Sequence, residues 1–221
     1  MKIVPSLGEA KKIAATGKFD VLPVSCEILS DFTTPIETMK ILKNVSTHCF
    51  MLESAWADRK WGRYTFLGFD PKLEITCTDG QMQIGSLRFR TENPSEYLRQ
   101  ILADYKSPRF DYLPPFTGGL TGYFSYEYLG YREPAVRGSA EDTENFKDVD
   151  LMLFDKVIAF DNFRQKIILI VNIDLEHLET EYNRASLELR SMADLIKNGE
   201  PKEDIPGHCT TPVTPLFQKE E

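Results

Sequence analysis

The sequence is poor in the groups that most often carry chemistry. Its 221 residues hold three histidines and four cysteines, and no Cys-x-x-Cys, His-x-x-x-His, Gly-x-Ser-x-Gly or P-loop pattern occurs. Paired zinc ligands, a nucleophile elbow and a phosphate-cradling loop are therefore all missing. Cys26, Cys49 and Cys77 sit inside strand-like runs, where a free thiol behaves as a small buried hydrophobe, and Cys209 lies in a polar tail. A chain this large with so few cysteines is not expected to be a disulfide scaffold. The His48-Cys49 and His208-Cys209 neighbours lack the second, spaced pair that a structural zinc site needs.

Positive charge is scarce too. Lys and Arg number 26 against 34 Asp and Glu, for a net charge of -8 and a pI near 5.1. No block of five or six basic residues occurs, which argues against a nucleic-acid surface. Apolar runs such as IILIVNI (167–173) are far too short for the roughly 20 residues that a membrane-spanning helix requires. Residues 1–20 contain Lys11, Lys12 and Lys18 but no unbroken apolar stretch, so no secretory signal is expected. The expectation is a soluble, cytoplasmic protein that binds neither nucleic acid nor membrane.

What the sequence does contain is core-forming material: 42% hydrophobic and 11% aromatic residues, enough for one large domain or two small ones. Ser6-x-x-Glu9, Thr34-Pro35-Ile36-Glu37 and Asn93-Pro94-Ser95-Glu96 each place a capping side chain three residues before a Glu. That spacing lets the two satisfy each other's orphan N–H groups, and Pro suits the first helical position. The third helix presents Tyr97, Leu98, Ile101, Leu102 and Tyr105 on one face, and a fourth is expected from about Leu175 to Lys197, stopped by Asn198-Gly199. Strands are expected over 21–29, 47–52, 63–69, 72–78, 119–129 and 156–173, with a turn at Asp79-Gly80 and a hairpin closed over Asp161–Gln165. Strands linked by hairpins rather than by alternating helices predict an α+β fold, largely antiparallel β-sheets with packed helices.

Residues 133–150 carry six acids against two bases and no apolar period, and read as a solvated connection. From Glu200 the chain is rich in proline and reads as a linker. Residues 1–199 are thus expected to form the sheet domain and residues 200–221 a linker, in which Thr214–Glu221 look like the start of a helix whose partner face lies elsewhere.

Two stretches stand out. In FMLESAWADRKWGRYTFLGF (50–69) an apolar run stops on Glu53 and Ser54, and the next begins at Arg63. An unpaired buried guanidinium is expensive, so Arg63 must reach solvent, an internal acid or a bound anion. Either Glu53 and Arg63 bridge across a strand pair, or Glu53 and the Ser54 hydroxyl receive an ammonium while Arg63 receives a carboxylate, as a zwitterion pocket would require. In LPPFTGGLTGYFSYEYLGY (113–131), Gly118, Gly119 and Gly122 interrupt a strand-like run. This suits a tight backbone approach better than a dinucleotide loop, because aromatic strand residues follow instead of a helix.

Together, LPVSCEILSDFTTPIETMKIL, MLESAWADRKWGRYTFLGFDP and LPPFTGGLTGYFSYEYLG resemble the N-terminal half of anthranilate synthase component I, a chorismate-utilising enzyme family. The resemblance runs from about Val21 to Tyr131 and extends more loosely to the tail, with Met51 standing where Leu is usual. It implies the N-terminal half of the chorismate-utilising enzyme fold. It also implies a whole enzyme that converts chorismate and ammonia to anthranilate and pyruvate, with Mg²⁺ and a glutamine amidotransferase subunit. The chorismate and metal ligands of that family belong to its other half, so no catalytic or metal-binding residue carries over. What carries over is half of an L-tryptophan feedback site, on Leu52, Glu53, Ser54 and Arg63. The sister enzyme aminodeoxychorismate synthase component I shares the Phe-x-Gly-Gly motif, and a stand-alone tryptophan-binding or subunit-docking module is the non-enzymatic alternative.

Overall fold

The capping and strand signals resolve into fifteen regular elements and a 3-10 turn among the residues described by the computed structural model, which are 1–54, 62–133, 135, 145–203 and 207–212. In chain order they are β1 (Ile3–Val4), α1 (Leu7–Ala14), β2 (Val21–Leu29), α2 (Pro35–Val45), β3 (Cys49–Leu52), β4 (Tyr64–Phe69), β5 (Leu73–Thr78), β6 (Gln81–Ile84), β7 (Leu87–Arg90) and α3 (Pro94–Ala103). Then come β8 (Gly119–Phe124), the 3-10 segment Tyr126–Tyr131, β9 (Val149–Phe154), β10 (Lys156–Asp161), β11 (Lys166–Asp174) and α4 (Leu178–Asn198). A six-stranded sheet has the spatial order β1-β2-β11-β10-β4-β3, and a five-stranded sheet the order β7-β6-β5-β9-β8. Every pairing in both is antiparallel, so the fold is α+β as expected.

The six-stranded sheet buries both faces at its centre. On one face Leu22, Val24, Leu67, Ile158, Leu169 and Val171 pack against Leu42 of α2 and Leu189, Met192 and Ile196 of α4. On the other, Val157, Ala159, Ile168 and Ile170 are covered by Leu113, Phe110 and Phe116 from the extended segment before β8. Double burial explains why β11 reads Ile167-Ile168-Leu169-Ile170-Val171 without alternation. The five-stranded sheet has a core of its own, in which Ile75, Cys77, Met82, Val149 and Leu151 meet Leu98 of α3. The two sheets share a corner at β9–β10, where Asn172 Nδ2 donates to the carbonyl oxygens of Thr117 (2.6 Å) and Asp155 (3.1 Å).

Several expectations are corrected by the chain's own hydrogen bonding. The capping box forms at Ser6 and Glu9, and Thr34 Oγ1 accepts from Glu37 N. Asn93 makes no side-chain cap, because its Oδ1 accepts instead from Ser95 Oγ at 2.7 Å. The last helix starts at Leu178 rather than Leu175, since Asp174 Oδ1 takes Glu176 N in a local turn. The strand expected over 119–129 ends at Phe124 and tightens into the 3-10 segment. β6, β7 and β9 were not foreseen as separate strands. Asp148, expected in a solvated loop, is 7% exposed and accepts from Asp79 N (2.8 Å) and Tyr131 Oη (2.6 Å). That cluster ties the Asp79-Gly80 turn to the 3-10 segment, and burial together with the Asp148 contact pushes the Tyr131 hydroxyl's pKa well up. The helix start expected at Thr214–Glu221 and most of 133–150 lie outside the described residues.

Candidate functional site

The opening stretch folds as the β3–β4 edge of the six-stranded sheet. Its register pairs Cys49 with Phe69, Phe50 with Gly68, Met51 with Leu67 and Leu52 with Phe66. The Phe50 ring packs on Gly68, where a Cβ would come 2.1 Å from it, so the glycine of Phe-Leu-Gly-Phe is required by a neighbour's side chain. Directly opposite residues share a face, so Phe50, Leu52, Tyr64 and Phe66 point the same way. Phe116 meets Phe50 and Phe66 edge-on there, at centroid distances of 6.2 and 5.6 Å.

Leu52, Glu53 and Ser54 emerge at the open end of this edge strand, and all three are exposed. The ladder ends at Leu52↔Phe66, and Glu53 and Ser54 follow it outside any strand. Of the Leu-Glu-Ser segment, Leu52 is the residue paired with β4, at Phe66.

Arg63 answers its charge differently from the cross-strand bridge considered above. Its Nε donates to Asp161 Oδ1 at 3.0 Å and its Nη2 to Asp161 Oδ2 at 2.6 Å, and no ion pair joins it to Glu53. Asp161 lies opposite Tyr64 on β10, which brings its carboxylate to the start of β4. The Asp161 side chain is 1% exposed, and its Oδ1 also accepts from the backbone N of Phe163 and Arg164, at 3.2 and 3.1 Å. One carboxylate thus closes the β10–β11 turn and receives a guanidinium fork. Burial pushes the Asp161 carboxyl up, but Arg63 and the two backbone donors outweigh it and hold it below the ordinary carboxylate range. The Arg63 guanidinium also lies 4.7 Å from the Tyr64 ring centroid. Two of its five N–H donors are committed to Asp161, so any ligand carboxylate must use the rest.

Beside this corner runs an open groove of about 610 Å³, lined among others by Arg63, Tyr64, Arg109, Phe110, Pro115 and Phe116. Its volume lies in the range of small-molecule sites. Leu52, Glu53 and Ser54 do not line it. Asp161 was missed as part of the site because it was read as a turn residue. The signal was an acid closing the apolar run Val157–Phe160, with an arginine opening another strand.

The remaining candidates are structural. All four cysteines are free, Cys26 and Cys77 buried, and burial pushes the Cys26 thiol up to about 11. His48 Nε2 faces Glu74 at 3.3 Å. Among the described residues no group of three or more His, Cys, Asp or Glu is placed to hold a metal ion. No helix among them is long and apolar enough to cross a membrane.

No protein-family model matches the chain. Individual proteins do. Anthranilate synthase component 1 of Acetivibrio thermocellus is 32% identical over 197 residues, covering 87% of this chain and 38% of that protein. The component 1 proteins of Pseudomonas aeruginosa and Aquifex aeolicus are each 31% identical, over 86% and 89% of this chain. The chain is a homologue of anthranilate synthase component 1. It spans about two fifths of the length of these relatives. The crystal structure of anthranilate synthase component I from Streptococcus pneumoniae TIGR4 is also similar, with 27% identity, a TM-score of 0.47 and coverage of 74% of this chain and 36% of that one.

Proposed function

We propose that the chain is the N-terminal, effector-binding part of an anthranilate synthase component 1, and that it takes no catalytic step itself. In this reading residues 1–199 form the regulatory domain and residues 200–221 lead to a catalytic part supplied elsewhere. The complete enzyme would convert chorismate to anthranilate and pyruvate, with ammonia from a glutamine amidotransferase partner. Mg²⁺ would be held by that other part. The role left to this chain is regulation by L-tryptophan, with the Ser54 hydroxyl and Glu53 taking the ammonium, Leu52 the indole side, and the uncommitted N–H groups of Arg63 the carboxylate.

The reading rests on one observation: component 1 relatives match 87% to 89% of this chain. The relatives' shared name favours anthranilate over 4-amino-4-deoxychorismate as the product of the whole enzyme, and product identity would decide between them. A backbone amide NMR titration with L-tryptophan tests the site. Shifts centred on Glu53, Ser54 and Arg63 are expected, and a titration to millimolar ligand that leaves these amides unmoved would reject it.

A further inference from the structure

A single residue, Asp155, carries the chain from β9 of the five-stranded sheet into β10 of the six-stranded sheet. The other passage between the sheets, from β4 to β5, lies beside it. Lys72 N there donates to the Leu153 carbonyl oxygen at 2.8 Å, and Asp70 pairs with Lys156 Nζ. Asn172 closes the corner from β11: its backbone N donates to the Asp155 carbonyl oxygen at 2.8 Å, and its side chain also ties down Thr117. Gly118 leaves no slack, since a Cβ there would lie 2.5 Å from Asn172 Nδ2 and 2.9 Å from the Phe154 carbonyl oxygen. Between these strands and the end of α3 lies a small cavity of about 90 Å³, lined among others by Val21, Leu102, Leu153, Phe154, Asn172 and Asp155. The Asp155 carboxylate is poorly compensated at this place. Lys156, Lys72 and Arg184 face it, but Lys156 is committed to Asp70 and Glu188 and Arg184 to Glu181. Lys72 lies over the Tyr105 ring, 5.2 Å from its centroid. Apart from its own backbone N, no group among the described residues donates to the carboxylate. Burial pushes the Asp155 carboxyl up, and the three cations offset this only in part.

We propose that Asp155 makes this corner a pH-sensitive joint between the two sheets, tight while its carboxyl is neutral and loosened when it ionises. An ionised carboxylate without a donor needs water. The cavity has room for it, and hydration there weakens the Asn172 bonds that hold Asp155 and Thr117 together. The sign follows from the direction of the shift. The folded corner keeps its proton at pH values where the unfolded chain has lost it. Its stability is therefore fully present below the unfolded value of about 3.9 and is lost as pH rises through the folded one. Asp161, at the far end of β10, is shifted the opposite way, so it is already ionised over that range and adds no such slope. The joint involves neither Arg63 nor the Leu-Glu-Ser segment, and so stands apart from the effector reading.

Two NMR measurements on the chain test the joint. A carbon-13 titration of the Asp155 carboxyl should give a midpoint above about 3.9, and a midpoint at or below that value would overturn the proposal without any variant. Amide exchange, referenced to intrinsic rates at each pH, reads the corner itself. Protection at Asn172 relative to Leu169, in the middle of β11, should fall about threefold between about pH 4.5 and about pH 7. Asp155→Asn keeps the side chain's shape and removes its charge, so it should hold the low-pH ratio across the whole range. A wild-type ratio that does not change with pH would overturn the joint. An equal fall in Asp155→Asn would do so too, by assigning the response to another titrating group.

Discussion

β11, at the centre of the six-stranded sheet, and β5, in the five-stranded sheet, are both interior strands, yet they read quite differently. β11 carries Ile167-Ile168-Leu169-Ile170-Val171 with every side chain buried, because helices cover one face and the 107–118 segment the other. β5 alternates, with Ile75 and Cys77 buried between exposed Glu74 and Thr78, because α3 packs on one face of its sheet only. The number of covered faces, rather than the presence of a sheet, sets the sequence pattern. It also sets where polar chemistry can sit. In the doubly covered sheet an ion pair is confined to a strand end, as at Arg63–Asp161, whereas the singly covered sheet leaves apolar side chains at an unguarded edge.

The sharpest way to break this contrast is to delete the same side chain at a doubly covered and an exposed position. Leu169→Ala, fully buried, should cost about 2–5 kcal/mol. Leu87→Ala, on edge strand β7 and 66% exposed, should stay within about 0.5 kcal/mol. Urea unfolding of both variants measures the difference. Equal losses would mean that coverage does not distinguish the two sheets.

Arg63→Ala comes next. It strands a carboxylate that is 1% exposed, which should cost about 3 kcal/mol near neutral pH. The pH dependence has a definite sign. Asp161 titrates below its unfolded value of about 3.9, so its stabilising contribution is fully present above that value and fades as pH falls through the folded pKa. Wild-type stability should therefore drop below about pH 4, and the gap between wild type and Arg63→Ala should narrow there. A gap that stays constant from pH 7 to pH 3 would show that the pair contributes packing rather than charge. A smaller loss, about 1–3 kcal/mol, is expected for Gly68→Ala, whose new methyl must displace the Phe50 ring. Thermal unfolding would read it, and an unchanged midpoint would mean that the ring yields without cost.

Much of this was legible in the sequence, for reasons that differ by element. The Ser6 capping box, the hairpin over Asp161–Gln165 and the strand over 21–29 are local patterns that tertiary contacts had no reason to override. The boundary between two sheets was not legible, because nothing in Phe154-Asp155-Lys156 announces that one strand ends in one sheet and the next begins in another. Arg63 was recognised as needing a partner, but not which one. The choice of Asp161 over Glu53 depends on the β10–β4 register, which is a long-range fact. Glu53 and Ser54 stood out in the sequence as polar residues ending an apolar run, and the resemblance added Leu52 and the effector role.

The smallest structural effect is expected where the functional one should be largest. Ser54 is exposed at the end of an edge strand, so Ser54→Phe should leave the chain's stability within about 0.5 kcal/mol. Under the proposed function, the same change in the complete enzyme should abolish inhibition by L-tryptophan while chorismate turnover stays near normal, because the added ring would fill the effector's space without touching catalytic groups that the other part would carry. An effector acts only through its unequal affinity for two states. Removing its binding should therefore leave the basal equilibrium, and hence the uninhibited rate, unchanged. Steady-state anthranilate fluorescence with and without tryptophan reads both quantities at once. Retained inhibition would remove Ser54 from the effector site, and lost turnover would mean that this corner is coupled to the active site even when no effector is bound.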